Sequence, residues 1–233
     1  MSPHDDHAHP HSHEHGHDHA HGHDHGHGAG PVLKYSDDSV HDQRDTDYYP
    51  LLAEAVRQLV VEKGYVKAAD VREHLEAMDK RDEGIGGRIV ARAWTDPAFK
   101  KRLLASGSAA VKEFGIDMGE VQLIVVENTP AVHNLVVCTL CSCYPRLLLG
   151  LPPDWYKSKS YRARAVKEPR AVLREFGTIV PEQITLRVHD SNADMRYFVL
   201  PERPAGTEGW SEERLASLVS RDCLVGAVRA AKP

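Results

Sequence analysis

Residues 1–33 contain no lysine or arginine, and no apolar run anywhere in the 233-residue chain approaches the roughly 20 residues that span a bilayer. The N-terminus also lacks a basic stretch followed by an apolar one, so a secretory signal is not expected and the chain is assigned to the cytoplasm. Nor is there a surplus of positive charge. The first 33 residues hold five acids (Asp5, Asp6, Glu14, Asp18, Asp24), and the remainder balances 29 acids against 29 bases. A neutral body argues against nucleic acid or an anionic membrane as partner, because that affinity comes from clustered Lys and Arg. Cysteine is scarce too: Cys138, Cys141, Cys143 and Cys223 are all there are, which excludes a disulfide framework in a reducing compartment.

What is present is concentrated in two places. Twelve of the 16 histidines fall within residues 1–27, at nearly every second position from His7 to His27. Such a tail offers nothing apolar to bury and is expected to be disordered, either solubilising the chain or holding divalent cobalt, nickel or zinc loosely. Three of the four cysteines lie within six residues, Cys138-Thr139-Leu140-Cys141-Ser142-Cys143.

Between them the pattern is mostly helical. Leu51, Leu52, Ala55, Val56, Leu59 and Val60 follow helical spacing up to Gly64, and a second helix is predicted from Asp70 through Val71, Leu75 and Met78. Gly84, Gly86 and Gly87 read as a hinge before a helix through Ile89, Val90 and Trp94. Asp96-Pro97 reads as cap plus first residue of the next helix, and Ser108 to Phe114 as a short one. From Val121 the runs become β-branched. Val121–Val126, Leu135–Val137, Ile184–Val188 and Met195–Leu200 are predicted strands, the first two around a turn at Asn128-Thr129-Pro130. Helices are expected over Trp155–Val166 and Glu168–Phe176, and a last one from Ser211, where Glu212 and Glu213 suit the helix dipole. The fold class is α+β: a helical N-terminal arm, then a small mixed α/β core carrying the cysteine loop.

The C-x₂-C-x-C spacing has a physical consequence. Cys141 and Cys143 flank a single residue, so a tight loop can aim both sulfurs and the intervening peptide nitrogens at one point, which Cys138 reaches from another direction. Two sulfurs and two amide nitrogens in a plane, with one axial sulfur, make five positions of an octahedron and leave the sixth open. A structural zinc site wants four ligands, usually as two separated pairs, and only His133 and the remote Cys223 are at hand. A thioredoxin-like pair opens a helix, which Pro145 and Pro152 disfavour. The cysteine claw is the reading that the spacing favours. Cys223 reads as a buried small hydrophobe and His133 as a packed or edge histidine.

This motif resembles that of the nitrile hydratase α subunit and the related thiocyanate hydrolase γ subunit. The likeness extends to Ala91-Arg92-Ala93-Trp94 with Asp96-Pro97, Val126-Glu127-Asn128-Thr129-Pro130, residues 149–158, residues 200–208 and Arg221-Asp222-Cys223-Leu224-Val225-Gly226. The resemblance implies an enzyme, a hydro-lyase that hydrates nitriles to amides and is active only with a β-type partner subunit. Cys138 would be an unmodified axial thiolate, Cys141 a sulfinate and Cys143 a sulfenate. The peptide nitrogens of Ser142 and Cys143 would complete the ligand set. Thr139 points to non-corrin cobalt(III) over iron(III). Either the Cys143 sulfenate oxygen or a water activated by the metal would be the nucleophile. Arginines of the partner would hold the oxygens on Cys141 and Cys143, and an activator protein would insert the metal.

On this reading residues 1–33 are the His-rich tail, 34–118 the helical arm and partner-contacting region, and 119–233 the metal-binding catalytic core. One position departs from the nitrile hydratase pattern. Arg146 stands where those enzymes commonly place a Trp in the pocket wall, and thiocyanate hydrolase, with an anionic substrate, resembles the chain there. Thiocyanate hydrolysis to carbonyl sulfide and ammonia is therefore the alternative. A non-catalytic cobalt carrier, with the tail gathering metal, is a remote third. Arg162 and Arg164 are expected either to contact the partner or to lie on a solvated helix face.

Overall fold

The computed structural model describes residues 43–79, 84–141 and 143–233, so the His-rich tail and Ser142 lie outside the described residues. Two helices come first, α1 (Gln43–Glu62) and α2 (Ala68–Asp79). On α1 the predicted apolar residues Leu51, Leu52, Val56 and Leu59 are exposed, each by 45% or more. None of the described helices is long and apolar enough to cross a membrane.

Helix α3 (Gly84–Thr95) corrects the hinge expected at Gly84–Gly87. The glycines form its first turn, and Gly86 and Gly87 are buried. Their role is close approach. A Cβ on Gly86 would stand 2.4 Å from Leu224 Cδ1 and 2.8 Å from Leu149 Cδ2, and one on Gly87 would stand 3.0 Å from the Ala216 carbonyl oxygen. Helix propensity yields to packing here, because the space above these residues belongs to other chain segments. Asp96 caps α4 (Pro97–Ala105) as predicted, its carboxylate accepting from Ala98 N and Phe99 N. The stretch 107–114 is one α-turn, α5 (Gly107–Ala110), continued by a 3₁₀ turn.

The four predicted strands are present as β1 (Gln122–Glu127), β2 (Val132–Val137), β3 (Thr185–Asp190) and β4 (Met195–Leu200). They form two parallel pairs, β1 with β4 and β2 with β3. Parallel neighbours require long crossovers. The crossover from β2 to β3 carries the cysteine loop and four helices: α6 (Arg146–Leu149), α7 (Asp154–Lys157), α8 (Lys159–Lys167) and α9 (Pro169–Glu175). The single helix expected over Trp155–Val166 is thus two. Ser158 divides them, extended at ψ 138° and accepting from Tyr161 N as the cap of α8. Sequence periodicity also passed over α6, a single turn after Pro145, and a 3₁₀ turn at Arg221–Val225. The last helix, α10 (Glu212–Ala216), starts after its Ser211 cap as expected.

The core gathers around β2, whose residues from His133 to Val137 are all buried. Ile89, Val90, Phe99 and Leu103 of α3 and α4 join Leu135, Val136, Val137, Phe198 and Val199 in one cluster. Beside it Trp155 meets Tyr161 at 4.9 Å and Phe176 at 4.6 Å, edge to face. That aromatic group fixes α7 and α8 next to the end of β2, where the cysteine loop begins.

Candidate metal centre

The loop starts at Cys138, directly after β2, and the register explains its anchorage. Val137 pairs with Asp190, the last residue of β3. The Asp190 carboxylate thereby receives two donors from the next turn, Thr139 N at 2.9 Å and Thr139 Oγ1 at 2.6 Å. Two buried tyrosines hold the other sides: Tyr161 donates to the Val136 carbonyl at 2.7 Å, and Tyr156 to the Cys143 carbonyl at 2.9 Å. Arg162, one residue further along α8, donates through Nη1 to the Cys141 carbonyl at 3.1 Å. Every carbonyl and amide fixed in this way aims the loop before any metal is considered.

Held so, the three thiols converge. Cys138 Sγ lies 3.4 Å from Cys141 Sγ, which lies 3.1 Å from Cys143 Sγ, and all three sulfurs fall within 4.8 Å of one another. Cys141 N points at Cys138 Sγ from 3.3 Å. Cys138 is fully buried, Cys143 half-buried and Cys141 exposed, so the cluster opens outward from a closed floor. Burial, followed by the neighbouring Cys141 and Cys138, pushes the Cys143 thiol up to about 12, against which the Arg196 guanidinium acts. Three thiols this close could ionise together only around a cation. A soft, preassembled sulfur set in one tight loop fits a transition-metal ion and not a hard alkaline-earth ion. Ser142, the fourth residue expected at the centre, lies outside the described residues.

Above the thiols lies a cavity of about 340 Å³ lined by Met118, Val121, Cys141, Cys143, Tyr144, Pro145, Arg146, Leu147 and Arg196. Arg146, singled out from the sequence, is therefore beside the cysteines. Arg196 was not foreseen. It comes from β4, more than fifty residues from the motif, and is held by backbone carbonyls of Asn192, Ala193 and Met195. Asp190 and Tyr156 were missed as well, since nothing in local spacing ties them to the loop.

The other expectations separate cleanly. Arg162 touches the cysteine loop, whereas Arg164 is committed to Glu168 at 2.5 Å and Glu175 at 2.6 Å on its own surface. His133 is buried with Nε2 donating to the Gly226 carbonyl at 2.8 Å, a packed histidine as anticipated. Cys223 is buried 3₁₀-turn core, apart from the thiol cluster, and burial raises its pKa. A larger cavity of about 580 Å³ lies away from the cysteines, between the turn at residues 128–132 and the C-terminal residues.

Known proteins resemble this chain in sequence and in fold. The chain is 51% identical over 176 residues to the low-molecular weight cobalt-containing nitrile hydratase subunit alpha of Rhodococcus rhodochrous, covering 74% of this chain and 84% of that one. It is 43% identical over 190 residues to the thiocyanate hydrolase subunit gamma of Thiobacillus thioparus, covering 76% and 78%. Among solved structures, an iron-type nitrile hydratase from Comamonas testosteroni superposes with a TM-score of 0.74 at 43% identity, over 80% of this chain and 92% of that chain. The family described as nitrile hydratase, alpha chain, matches residues 47–228. With the sequence match running from the exposed arm to the last 3₁₀ turn, and the three cysteines converging within it, the chain belongs to the nitrile hydratase alpha chain family.

Proposed function

We propose that this chain is the α subunit of a nitrile hydratase, converting a nitrile to the amide at a non-corrin cobalt(III) centre. Cys138, Cys141 and Cys143 would hold the ion together with the peptide nitrogens of Ser142 and Cys143. The observation that carries the proposal is the convergence of three thiols, two of which, Cys141 and Cys143, line an open cavity. Cobalt is preferred to iron(III) because of Thr139 and because relatives at 51% and 45% identity are named cobalt-containing. When bound there, the ion supplies Lewis acidity to the substrate. Cys141 would be a sulfinate and Cys143 a sulfenate, and either the Cys143 sulfenate or a water activated at the centre would supply the nucleophilic oxygen. Tyr156 keeps the Cys143 carbonyl fixed, and its own hydroxyl stays protonated because burial raises its pKa. Tyr144, Pro145 and Leu147 exclude water from one wall, while Arg146 meets the polar end of the substrate.

The cavity is open on one side, and the exposed Leu52, Val56 and Leu59 run along one face of α1 at helical spacing. Both features support an obligate β-type partner that covers the arm and completes the pocket. In that scheme 34–118 is the partner-contacting region, 119–233 the catalytic core, and 1–33 a His-rich tail outside the chemistry. An activator protein for metal insertion and a cytoplasmic location belong to the same proposal.

One observation favours a second reading, thiocyanate hydrolysis. Arg146 and Arg196 both line the cavity, and two cations suit an anionic substrate better than a neutral nitrile. The test is co-expression of the chain with its partner subunit in cobalt medium. Amide is assayed from a nitrile panel, and ammonia plus carbonyl sulfide from thiocyanate, for the parent and Arg146→Trp. Amide formation by the parent is the expected result. Thiocyanate turnover that Arg146→Trp abolishes, without amide formation, would replace the first reading by the second. Stoichiometric cobalt with neither activity would leave the carrier.

A further inference from the structure

We infer that Arg162 is the cysteine loop's own cationic clamp, holding the Cys141 carbonyl with one donor and the oxidised Cys141 side chain with another. The inference rests on the reading of the loop as a mature, oxygen-bearing metal centre. Its starting point is an unequal use of donors. Arg164, Arg203 and Arg170 have Nε engaged, with Glu168, with Thr207 Oγ1 at 3.0 Å and beside Glu182 at 3.6 Å. Arg162 gives Nη1 to the Cys141 carbonyl at 3.1 Å, yet its Nε–H is buried with no hydrogen-bond partner among the described residues. No carboxylate is paired with it there either. A buried, unmatched N–H on a permanent cation is costly, because its lost hydration is not replaced.

The missing acceptor has a natural source. The Cys141 sulfur branches from the same Cα as the carbonyl that Arg162 already holds. Addition of one dioxygen to that thiolate, RS⁻ + O₂ → RSO₂⁻, moves four electrons from sulfur to the two oxygens and releases no proton. It places two anionic acceptors beside a planar donor fork suited to them. Arg162 is thus a positioning residue that acts through Cys141 and does not touch substrate. The loop's oxidised state is stabilised from within this chain, in addition to whatever a partner supplies.

The test uses the cobalt-loaded complex with its partner, comparing the parent with Arg162→Lys, which keeps one donor for the carbonyl and loses the fork, and Arg162→Met, which loses both. The mass of the Cys141 peptide and the visible sulfur-to-metal absorption are read per cobalt-loaded chain, so that poor loading of a variant does not enter the result. The expected outcome is a sulfinate fraction at least threefold lower in the lysine chain, lower still in the methionine chain, with a shifted absorption band. Parental sulfinate and band in both variants would overturn the assignment. A parent chain that binds cobalt with Cys141 unmodified would overturn the mature-centre reading itself, and the assignment with it, before any variant is compared.

Discussion

The Asp190–Thr139 clamp makes a quantitative claim about metal retention. The carboxylate accepts from Thr139 N at 2.9 Å and from Thr139 Oγ1 at 2.6 Å, and so fixes the turn between Cys138 and Cys141. Hydrogen bonds to a charged group contribute about 1.5–3 kcal/mol each. Thr139 is exposed, so the lower figure applies, and the two together are worth about 3 kcal/mol. Asp190→Ala removes both. Since a factor of ten corresponds to about 1.4 kcal/mol, cobalt affinity should fall roughly 100-fold, at the upper end of what an outer-sphere ligand usually contributes. Asp190→Asn behaves differently. Its amide oxygen still accepts from Thr139 N, and its NH₂ can donate to a Thr139 hydroxyl that turns round, so only the charge assistance is lost. That loss is about 1 kcal/mol, or roughly fivefold. The assay is a competitive chelator titration of cobalt on the assembled complex, with circular dichroism to confirm folding. An alanine variant within twofold of the parent would refute the clamp. Equal losses in both variants would show that charge, and not geometry, holds the loop.

Other consequences concern the frame and its chemistry. Gly226 sits at φ +79° with its hypothetical Cβ 1.9 Å from the Asn134 carbonyl oxygen, so Gly226→Ala must displace β2 and is expected to leave the chain insoluble or lower its melting temperature by more than ten degrees. Burial depresses the His133 pKa below its ordinary 6.5, so the folded state resists a proton that the unfolded chain accepts. Stability is therefore flat above that value and declines as pH falls through it; His133→Gln should flatten the melting temperature between pH 7.5 and 5.5, and an unchanged slope would shift the effect to other groups, His189 among them. Cys223→Ala should cost about 1 kcal/mol of stability through lost packing while cobalt stoichiometry stays at the parental value, and any loss of metal would make Cys223 a ligand.

The sequence revealed whatever depends on neighbours along the chain. The Asp96 cap, the Met195–Leu200 strand and the C-x₂-C-x-C loop are each set by residues within one or two turns, and each lies where local spacing puts it. Gly84–Gly87 failed for the opposite reason. Three glycines in four residues weaken any isolated helix, and only Leu224, Leu149 and Ala216, drawn in from distant segments, explain why a helix with no side chains on that face is the one that fits. The site divides along the same line. The thiols are legible because one loop carries them all. Asp190 becomes their anchor only through the parallel register that sets it against Val137, and Arg196 reaches the cavity only because β4 returns beside β1. Parallel pairing makes this unavoidable: a partner strand arrives after a crossover of dozens of residues, and no local pattern records which of its side chains will face the loop. A cysteine loop at the end of a parallel strand therefore shows its thiols in sequence and hides the residues that anchor them. Asp190, Tyr156, Arg162 and Arg196 accordingly reach the cysteine loop or its cavity through the fold, whereas the motif is carried by six consecutive residues.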